Sequence, residues 1–357
     1  MIKAKILPIS RLHNFKEFDQ HQAVYELTEH KSGLNGFISI HSTANSGIAI
    51  GGTRYFVYAS EDDAIRDALN LSRAMTYKCA ITGINLGGGK AVLMAGGKGK
   101  SPVMMDSYAR AVNSLNGLFR TGEDVGINES DVIKMGEVSK YILGLPGAGG
   151  DPSPWAALSV FRSIEAALEK VFDSEVVNGR TFAVKGVGKV GAELVRLLYD
   201  CGGEITIADI DSNRTTELSK KYPGVKIALP EDIHKMNVDL YAPCAMGGEF
   251  NVETANELNC KIVCGSANNQ LAYKGIGKLM YNRGIIYVPD YLANAGGLIN
   301  VADELDTGGY NNGRVKNNVL GIRDIVKRVL VNSTKEGRPT NEISDKFAED
   351  LLKARMK

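Results

Sequence analysis

No run of about 18 or more uninterrupted apolar residues occurs in the 357-residue chain, so no bilayer-crossing helix is expected. Charge of one sign is missing too. The 42 Lys and Arg against 41 Asp and Glu leave a formal net charge of +1, which supplies no sequence-independent pull on nucleic acid or on an anionic membrane surface. A small neutral or zwitterionic ligand fits such a chain better. The opening residues lack an apolar core followed by a small-residue cleavage site, and a cytoplasmic location is therefore expected. Cysteine is scarce: Cys79, Cys201, Cys244, Cys260 and Cys264 form no CxxC pair, and their odd number argues against a disulfide framework. The spacing from Cys260 to Cys264 has no second ligand pair to complete a metal site. No metal is expected, and the five thiols read as reduced, mostly buried packing residues. No internal repeat or low-complexity segment is visible.

What is present is enough chain for two hydrophobic cores, at roughly 150 residues per domain. The densest Gly/Pro stretch, Gly144-Leu-Pro-Gly-Ala-Gly-Gly-Asp-Pro-Ser-Pro154, is the natural boundary. Before it, alternation over residues 36–42 predicts a half-buried strand, and Ser60 with Asp62 and Asp63 predicts the start of a helix running to Met75. Beyond it, a helix over Trp155–Val171 precedes strands at Thr181–Lys185 and Glu204–Asp209 with a helix between them. Further apolar runs follow at Asp239–Ala242, Lys261–Cys264 and Ile285–Val288. Strand and helix in alternation predict a parallel sheet with right-handed crossovers. Arg314–Lys335 has helical spacing, and Lys346–Leu352 predicts a last short helix.

Gly186-Val-Gly188-Lys189-Val190-Gly191 follows a predicted strand and opens a predicted helix, and Asp209 ends the next strand. The chemistry suits a dinucleotide. Gly186 permits the tight turn, Gly188 lets backbone approach a pyrophosphate, Gly191 lets the helix pack closely, and the helix start offers free N–H groups. Asp209 would accept hydrogen bonds from a ribose and repel a 2′-phosphate, so NAD is expected rather than NADP, although Arg214 stands nearby.

Lys78 in Met75-Thr-Tyr-Lys78 and Lys90 after Gly87-Gly-Gly stand out by context. Lys90 leads into the apolar Ala-Val-Leu-Met, so its base lies near the core, and a second ammonium group in the same cleft would lower its pKa. A lysine tuned in that way works as an acid or donor near neutral pH. Glu123-Asp124-Val-Gly126 offers a carboxylate on a turn. The ordinary alternative is solvated lysines and a capped surface loop.

Ile50-Gly-Gly-Thr-Arg54, Met75–Lys78, Gly87–Lys90, Glu123–Gly126, Gly265-Ser-Ala-Asn-Asn-Gln270 and Asp303-Glu304 resemble, in order and over nearly the whole chain, the glutamate/leucine/phenylalanine/valine dehydrogenases. The resemblance implies an α/β protein of two domains with the cleft between them. An N-terminal substrate-binding and oligomerisation domain over 1–148 would be completed by the C-terminal helix 335–357, and a Rossmann-type, doubly wound NAD-binding domain would span 149–334. It implies that Lys78 grips the substrate carboxylate, Lys90 activates water and polarises the oxygen on the α-carbon, and Asp124 moves protons. Gly51, Ile50, Asn269, Leu298 and Val301 would contact substrate, while Lys189, Val190, Cys244, Ala245 and Asn268 would join the glycines and Asp209 around the cofactor. A homo-oligomer is expected.

Glutamate-specific members of that family carry a lysine where this chain has Ile50, and an apolar residue cannot compensate a buried distal carboxylate. The substrate is therefore expected to be an L-amino acid with an apolar side chain. Gly122 and Leu298 match phenylalanine-type members, whereas leucine-type members tend to have Ala and Val. The missing methyl at Gly122 would widen a pocket, so an aromatic substrate is expected over a branched aliphatic one. One departure stands out: a threonine that meets the nicotinamide amide in the family is Ala156 here. The rival readings are a branched-chain dehydrogenase, a dehydrogenase of hydroxy acids, and a non-catalytic NAD-binding sensor. The N-terminal segment, the Lys98-Gly-Lys100 loop and residues 306–313 read as solvated loops.

Overall fold

The structure, a computed structural model, describes residues 3–43, 46–96 and 99–355. The chain divides into two units, one made of the described residues of 1–151, 301–310 and 348–357, the other of 152–300 and 311–347. In chain order the first holds β1 (Lys3–Ile6), α1 (Ile9–Leu12), β2 (Ala23–Glu29), β3 (Leu34–Ile40), β4 (Ala49–Ile50), β5 (Thr53–Phe56), α2 (Glu61–Ile81), β6 (Gly87–Met94), α3 (Pro102–Ser114), β7 (Phe119–Arg120) and α4 (Glu129–Gly136). The strands form one mixed sheet in the order β1-β2-β3-β6-β4-β7, with β5 also paired to β6. β6 is its centre. It runs antiparallel to β3 and parallel to both β4 and β5, which meet its first and second halves.

Alternation along the strands sends side chains to two helical layers. Phe37 and Val92 join Ile65 and Leu69 of α2 in one core cluster, while Ile38 and Ala91 join Tyr108 and Val112 of α3 in another. β3 is thus covered on both faces rather than half-buried as its alternation predicts. Its polar Ser39 is fully buried and hydrogen-bonded to Ser72 Oγ at 2.9 Å. α2 begins as expected, with Ser60 Oγ accepting from the Asp63 amide and three acids in the first turn. It continues past Met75 to Ile81 because Thr76–Ile81 is buried along its length. A Cβ at Gly88 would fall 2.1 Å from the Thr76 amide nitrogen, so only glycine lets this helix settle on β6.

The second unit continues with α5 (Ser153–Phe172), β8 (Thr181–Lys185), α6 (Lys189–Asp200), β9 (Glu204–Ala208), α7 (Ser212–Lys221), β10 (Lys226–Ile227), β11 (Val238–Pro243), α8 (Val252–Glu257), β12 (Cys260–Val263), α9 (Gly275–Asn282), β13 (Ile286–Tyr287) and α10 (Asp290–Ala293). α11 (Gly296–Asp303) follows, then α12 (Asn312–Leu320), α13 (Ile322–Glu336) and α14 (Thr340–Arg355); α11 and α14 are divided between the two units. The six strands lie in the order β10-β9-β8-β11-β12-β13, and every pairing is parallel. Counted from β8 this is the doubly wound order 3-2-1-4-5-6, whose reversal lies beside β8.

The helical spacing over Arg314–Lys335 resolves into two helices that part at Gly321, and the last helix is longer than predicted. Cys79 and Cys264 are buried, Cys244 and Cys260 partly so, but Cys201 is exposed, against its reading as a packing residue. Among the described residues no helix is long and apolar enough to cross a membrane, and no cluster of His, Cys, Asp and Glu could hold a metal ion.

Candidate functional site

β6 carries Lys90 on the same face as Val92, the face that α2 covers. β4 and β5 leave a gap opposite it: Ala49 and Ile50 pair with Gly87 and Gly88, Thr53 pairs with Ala91, and Gly51-Gly52 lie between. Both glycines are required by close approach. A Cβ at Gly51 would fall 1.8 Å from the Gly89 carbonyl oxygen, and one at Gly52 would fall 2.5 Å from the Glu123 carbonyl oxygen and 2.9 Å from Asp124 Cβ. The Gly51-Gly52 pair thereby lets the 123–124 segment approach β6. Gly126, at φ +79°, closes the turn that follows, and the Ile127 amide donates to the Asp124 carbonyl at 2.9 Å.

Lys90 Nζ meets Asp124 Oδ2 at 2.8 Å, with side chains 6% and 14% exposed. Arg54 Nε reaches the same oxygen at 3.1 Å, and its Nη1 meets Asp67 Oδ2 at 3.0 Å. Tyr58 donates its hydroxyl to that Asp67 oxygen at 2.6 Å. Burial opposes ionisation of Asp124, but the Lys90 ammonium and the Arg54 guanidinium outweigh it and hold its carboxyl below the usual range. Burial pushes the Lys90 ammonium down despite Asp124, and the charge of Arg54 adds to this. Lys78 itself lies near the end of α2 and is 8% exposed.

Arg54, Asp67 and Tyr58 were given no role by sequence reasoning. Arg54 stands inside the Gly51-Gly-Thr-Arg54 motif, a signal that could have found it. Asp67 and Tyr58 become its partners only through the lie of α2 over β5. Lys100, read as part of a solvated loop, donates to the Gly126 carbonyl at 2.7 Å and pairs with Asp131; Lys98 lies outside the described residues.

Ile50 is 2% exposed, and Val301 is half-buried in α11. Gly122 calls for a correction. A Cβ there would fall 2.8 Å from the Leu143 carbonyl oxygen, so the missing methyl makes way for the chain's own backbone and does not widen a pocket.

In the second unit Gly186, at φ +92°, sits where a Cβ would fall 2.6 Å from the Ala245 amide nitrogen. A Cβ at Gly191 would fall 1.9 Å from the Gly186 carbonyl oxygen and 3.3 Å from Cys244 Cβ. Both glycines serve packing within the chain. Gly188 differs: a Cβ there meets only Arg214 Nη1, at 4.0 Å. It is the N-cap of α6 and, as a glycine, offers no side-chain cap. Asp209 accepts from the Val187 amide at 2.7 Å and from the Asp211 amide at 2.9 Å, one on each oxygen, which leaves lone pairs for further donors. The Cys244 amide donates to the Lys185 carbonyl at 2.7 Å, bringing Cys244 and the exposed Ala245 beside Gly186.

Asn268 accepts from Asn294 Nδ2 at 2.7 Å, and Asn269 adopts φ +53° with its carbonyl accepting from the Gly248 amide at 2.7 Å. Leu298 is 6% exposed in α11. Ala156 lies on α5, where a Cβ at Gly297 would be 3.6 Å from its own Cβ.

Two family models match the chain: the dimerisation domain of Glu/Leu/Phe/Val dehydrogenase over residues 20–141, and the Glutamate/Leucine/Phenylalanine/Valine dehydrogenase domain over residues 207–308. The leucine dehydrogenase of Thermoactinomyces intermedius is 40% identical over 341 residues, covering 94% of this chain and 92% of its own length. The phenylalanine dehydrogenase of the same organism is 41% identical over 339 residues, covering 93% and 92%. The crystal structure of L-tryptophan dehydrogenase from Nostoc punctiforme superposes with a TM-score of 0.80 at 34% identity, covering 98% of this chain and 99% of that one. With both family models in place and such relatives end to end, the chain belongs to the glutamate/leucine/phenylalanine/valine dehydrogenase family and is an amino-acid dehydrogenase.

Proposed function

We propose that the chain catalyses reversible, NAD-dependent oxidative deamination of an L-amino acid with an apolar side chain, yielding the 2-oxo acid, ammonia and reduced cofactor. The observation that carries this reading is the buried contact of Lys90 Nζ with Asp124 Oδ2 at 2.8 Å. It keeps an ionised acceptor and a cation of lowered pKa at one point.

The residues present fit a dinucleotide. The open space over Gly188 suits a pyrophosphate, the N-terminal end of α6 suits its charge, and Asp209 retains lone pairs for ribose hydroxyls. The carboxylate of Asp209 disfavours a 2′-phosphate, which supports NAD over NADP. When bound, the nicotinamide supplies the hydride acceptor for the substrate α-carbon. Lys78 holds the substrate carboxylate. Asp124 takes the proton that the substrate ammonium must lose before its nitrogen lone pair can assist oxidation. Lys90 donates to the oxygen of the water that adds to the imino acid and steadies that oxygen as ammonia departs. The balance is amino acid, NAD⁺ and water in, and oxo acid, ammonium, NADH and one proton out.

Ile50 supplies no charge for a distal carboxylate, so glutamate is disfavoured. Of the two positions read for a phenylalanine-like rather than a leucine- or valine-like substrate, Leu298 alone still argues for it, because the space at Gly122 is filled. The reading therefore rests on the apolar class. We extend it to a cytoplasmic homo-oligomer, in keeping with the dimerisation domain that the family description names.

Initial rates of NAD reduction over phenylalanine, tryptophan, leucine, valine and glutamate, with ammonia dependence of the reverse reaction, test the proposal. Turnover on an apolar amino acid is expected. Preference for glutamate would remove the role of Ile50, a reverse reaction without ammonia would indicate hydroxy acids, and NAD binding without turnover would indicate a sensor.

A further inference from the structure

Glu304 has no role assigned above, and its carboxylate is anchored on the glycine-rich stretch after β7 and α4. Oε1 accepts from the Gly144 amide at 3.1 Å and the Gly149 amide at 3.0 Å, and Oε2 lies 3.3 Å from the Gly144 amide. Gly144 has φ +78° and Gly147 φ +89°, left-handed backbone that glycine adopts readily. Just before it the chain pairs with the strand leading to Asp124. The Leu143 amide donates to the Thr121 carbonyl at 2.7 Å, and the Thr121 amide to the Tyr141 carbonyl at 3.1 Å. The Leu143 carbonyl fills the space beside Gly122, and the Gly122 carbonyl in turn accepts from the Thr53 amide at 3.0 Å. Two residues further on, Asp124 meets Lys90.

We infer that Glu304 is a positioning residue for the reaction: by clamping the 144–149 loop it seats Leu143 against Thr121-Gly122 and so sets Asp124 on Lys90. The inference rests on the dehydrogenase reading only for the identity of the step affected. A charged acceptor on two loop amides makes stronger bonds than a neutral one. Burial raises the Glu304 pKa while the two amides oppose it, as for a carboxylate placed for its acceptor capacity. Lys78 lies on α2, outside this ladder, so hold on the substrate carboxylate should survive loss of the clamp.

The test compares Glu304→Ala and Glu304→Gln with the parent in the full chain. Expected is a fall in kcat of about tenfold or more in Glu304→Ala, since a misplacement approaching 1 Å costs roughly a hundredfold. Glu304→Gln, which keeps one acceptor oxygen, should recover part of it, and KM for the amino acid should stay within about twofold in both. Amide hydrogen exchange reads the clamp without turnover: Leu143, Gly144, Gly149 and Thr121 should lose protection in both variants, while α2 keeps its own. Unchanged kcat in either folded variant, or a raised KM at unchanged kcat, would overturn the inference. So would unchanged exchange at these amides, whatever the activity. If Glu304→Ala does not fold, Glu304→Gln decides alone. A parent that reduces no NAD with any amino acid would count against the dehydrogenase reading, and the exchange result would still judge the clamp.

Discussion

Removing either half of the Lys90–Asp124 pair should have unequal effects on stability, and the inequality tests how the charge is shared. Orphaning one member of a buried pair costs about 3–5 kcal/mol. In Lys90→Met the stem volume is kept and Asp124 still has Arg54 Nε at 3.1 Å, so its charge stays compensated. The expected cost is about 1–2 kcal/mol, the worth of one charge-assisted hydrogen bond. In Asp124→Asn, Arg54 keeps Asp67 at 3.0 Å, but Lys90, 6% exposed, loses the anion 2.8 Å away. The lysine must then stay charged without a partner or give up its proton, and about 3 kcal/mol or more is expected. Urea unfolding at pH 7 and matched protein concentration should place Asp124→Asn below Lys90→Met by at least about 1–2 kcal/mol, the difference of these two figures. Both should lose turnover and retain NAD binding by nucleotide fluorescence. Equal destabilisation, or a larger loss for Lys90→Met, would refute the sharing of Asp124 by two cations.

Three further outcomes can be checked. Gly188→Ala should leave thermal stability unchanged and weaken NAD binding, whereas Gly191→Ala should lower the melting temperature, because the added methyl meets open space at 4.0 Å in the first case and a carbonyl oxygen at 1.9 Å in the second. Asp209→Asn should lower the ratio of kcat/KM for NAD to that for NADP by about tenfold, or ~1.4 kcal/mol, measured from initial rates with both cofactors. His41 is pushed down to about 3, by burial and then by the charge of His21, although Asp19 at 3.9 Å pulls the other way. Below about 6.5 the unfolded chain takes up a proton that the folded chain refuses, so stability is full above that pH and falls as pH drops towards 3. His41→Gln should remove roughly 2 kcal/mol of the loss between pH 6.5 and 5, read from urea midpoints at the two pH values.

The doubly wound unit was legible because glycine and acid punctuate its first strand, helix and strand: Gly186, Gly188, Gly191 and Asp209 mark places where backbone must turn or approach closely. The pattern of β3 suggests one exposed face because its serine and glycine resemble solvent positions. Its neighbours across the sheet, not its own pattern, decide that α2 and α3 cover both faces. The end of α2 is hidden for a related reason, since Thr76–Ile81 is buried nearly all round and shows no polar face to mark the helix's continuation past Met75. At the candidate site, residue type pointed to Lys90 and Asp124, but pairing is a property of three dimensions. Arg54 reaches Asp124 across 70 residues and Asp67 across 13, separations that no local pattern encodes. Gly122 shows the converse hazard, because a small residue tells of a close neighbour without telling whether that neighbour is a ligand or the chain itself.

The glycine gap opposite Lys90 gathers two cations, Lys90 and Arg54, and two anions, Asp124 and Asp67. Their formal charges cancel, so at a distance the cluster behaves as a multipole whose field dies away faster than that of a lone ion. Dissolved salt, which attenuates long-range fields within about 10 Å at 0.1 M, has little left to attenuate. The proton-handling machinery is in this sense insulated from the ionic medium, and sensitivity of the rate to salt would have to enter through the arrival of charged reactants.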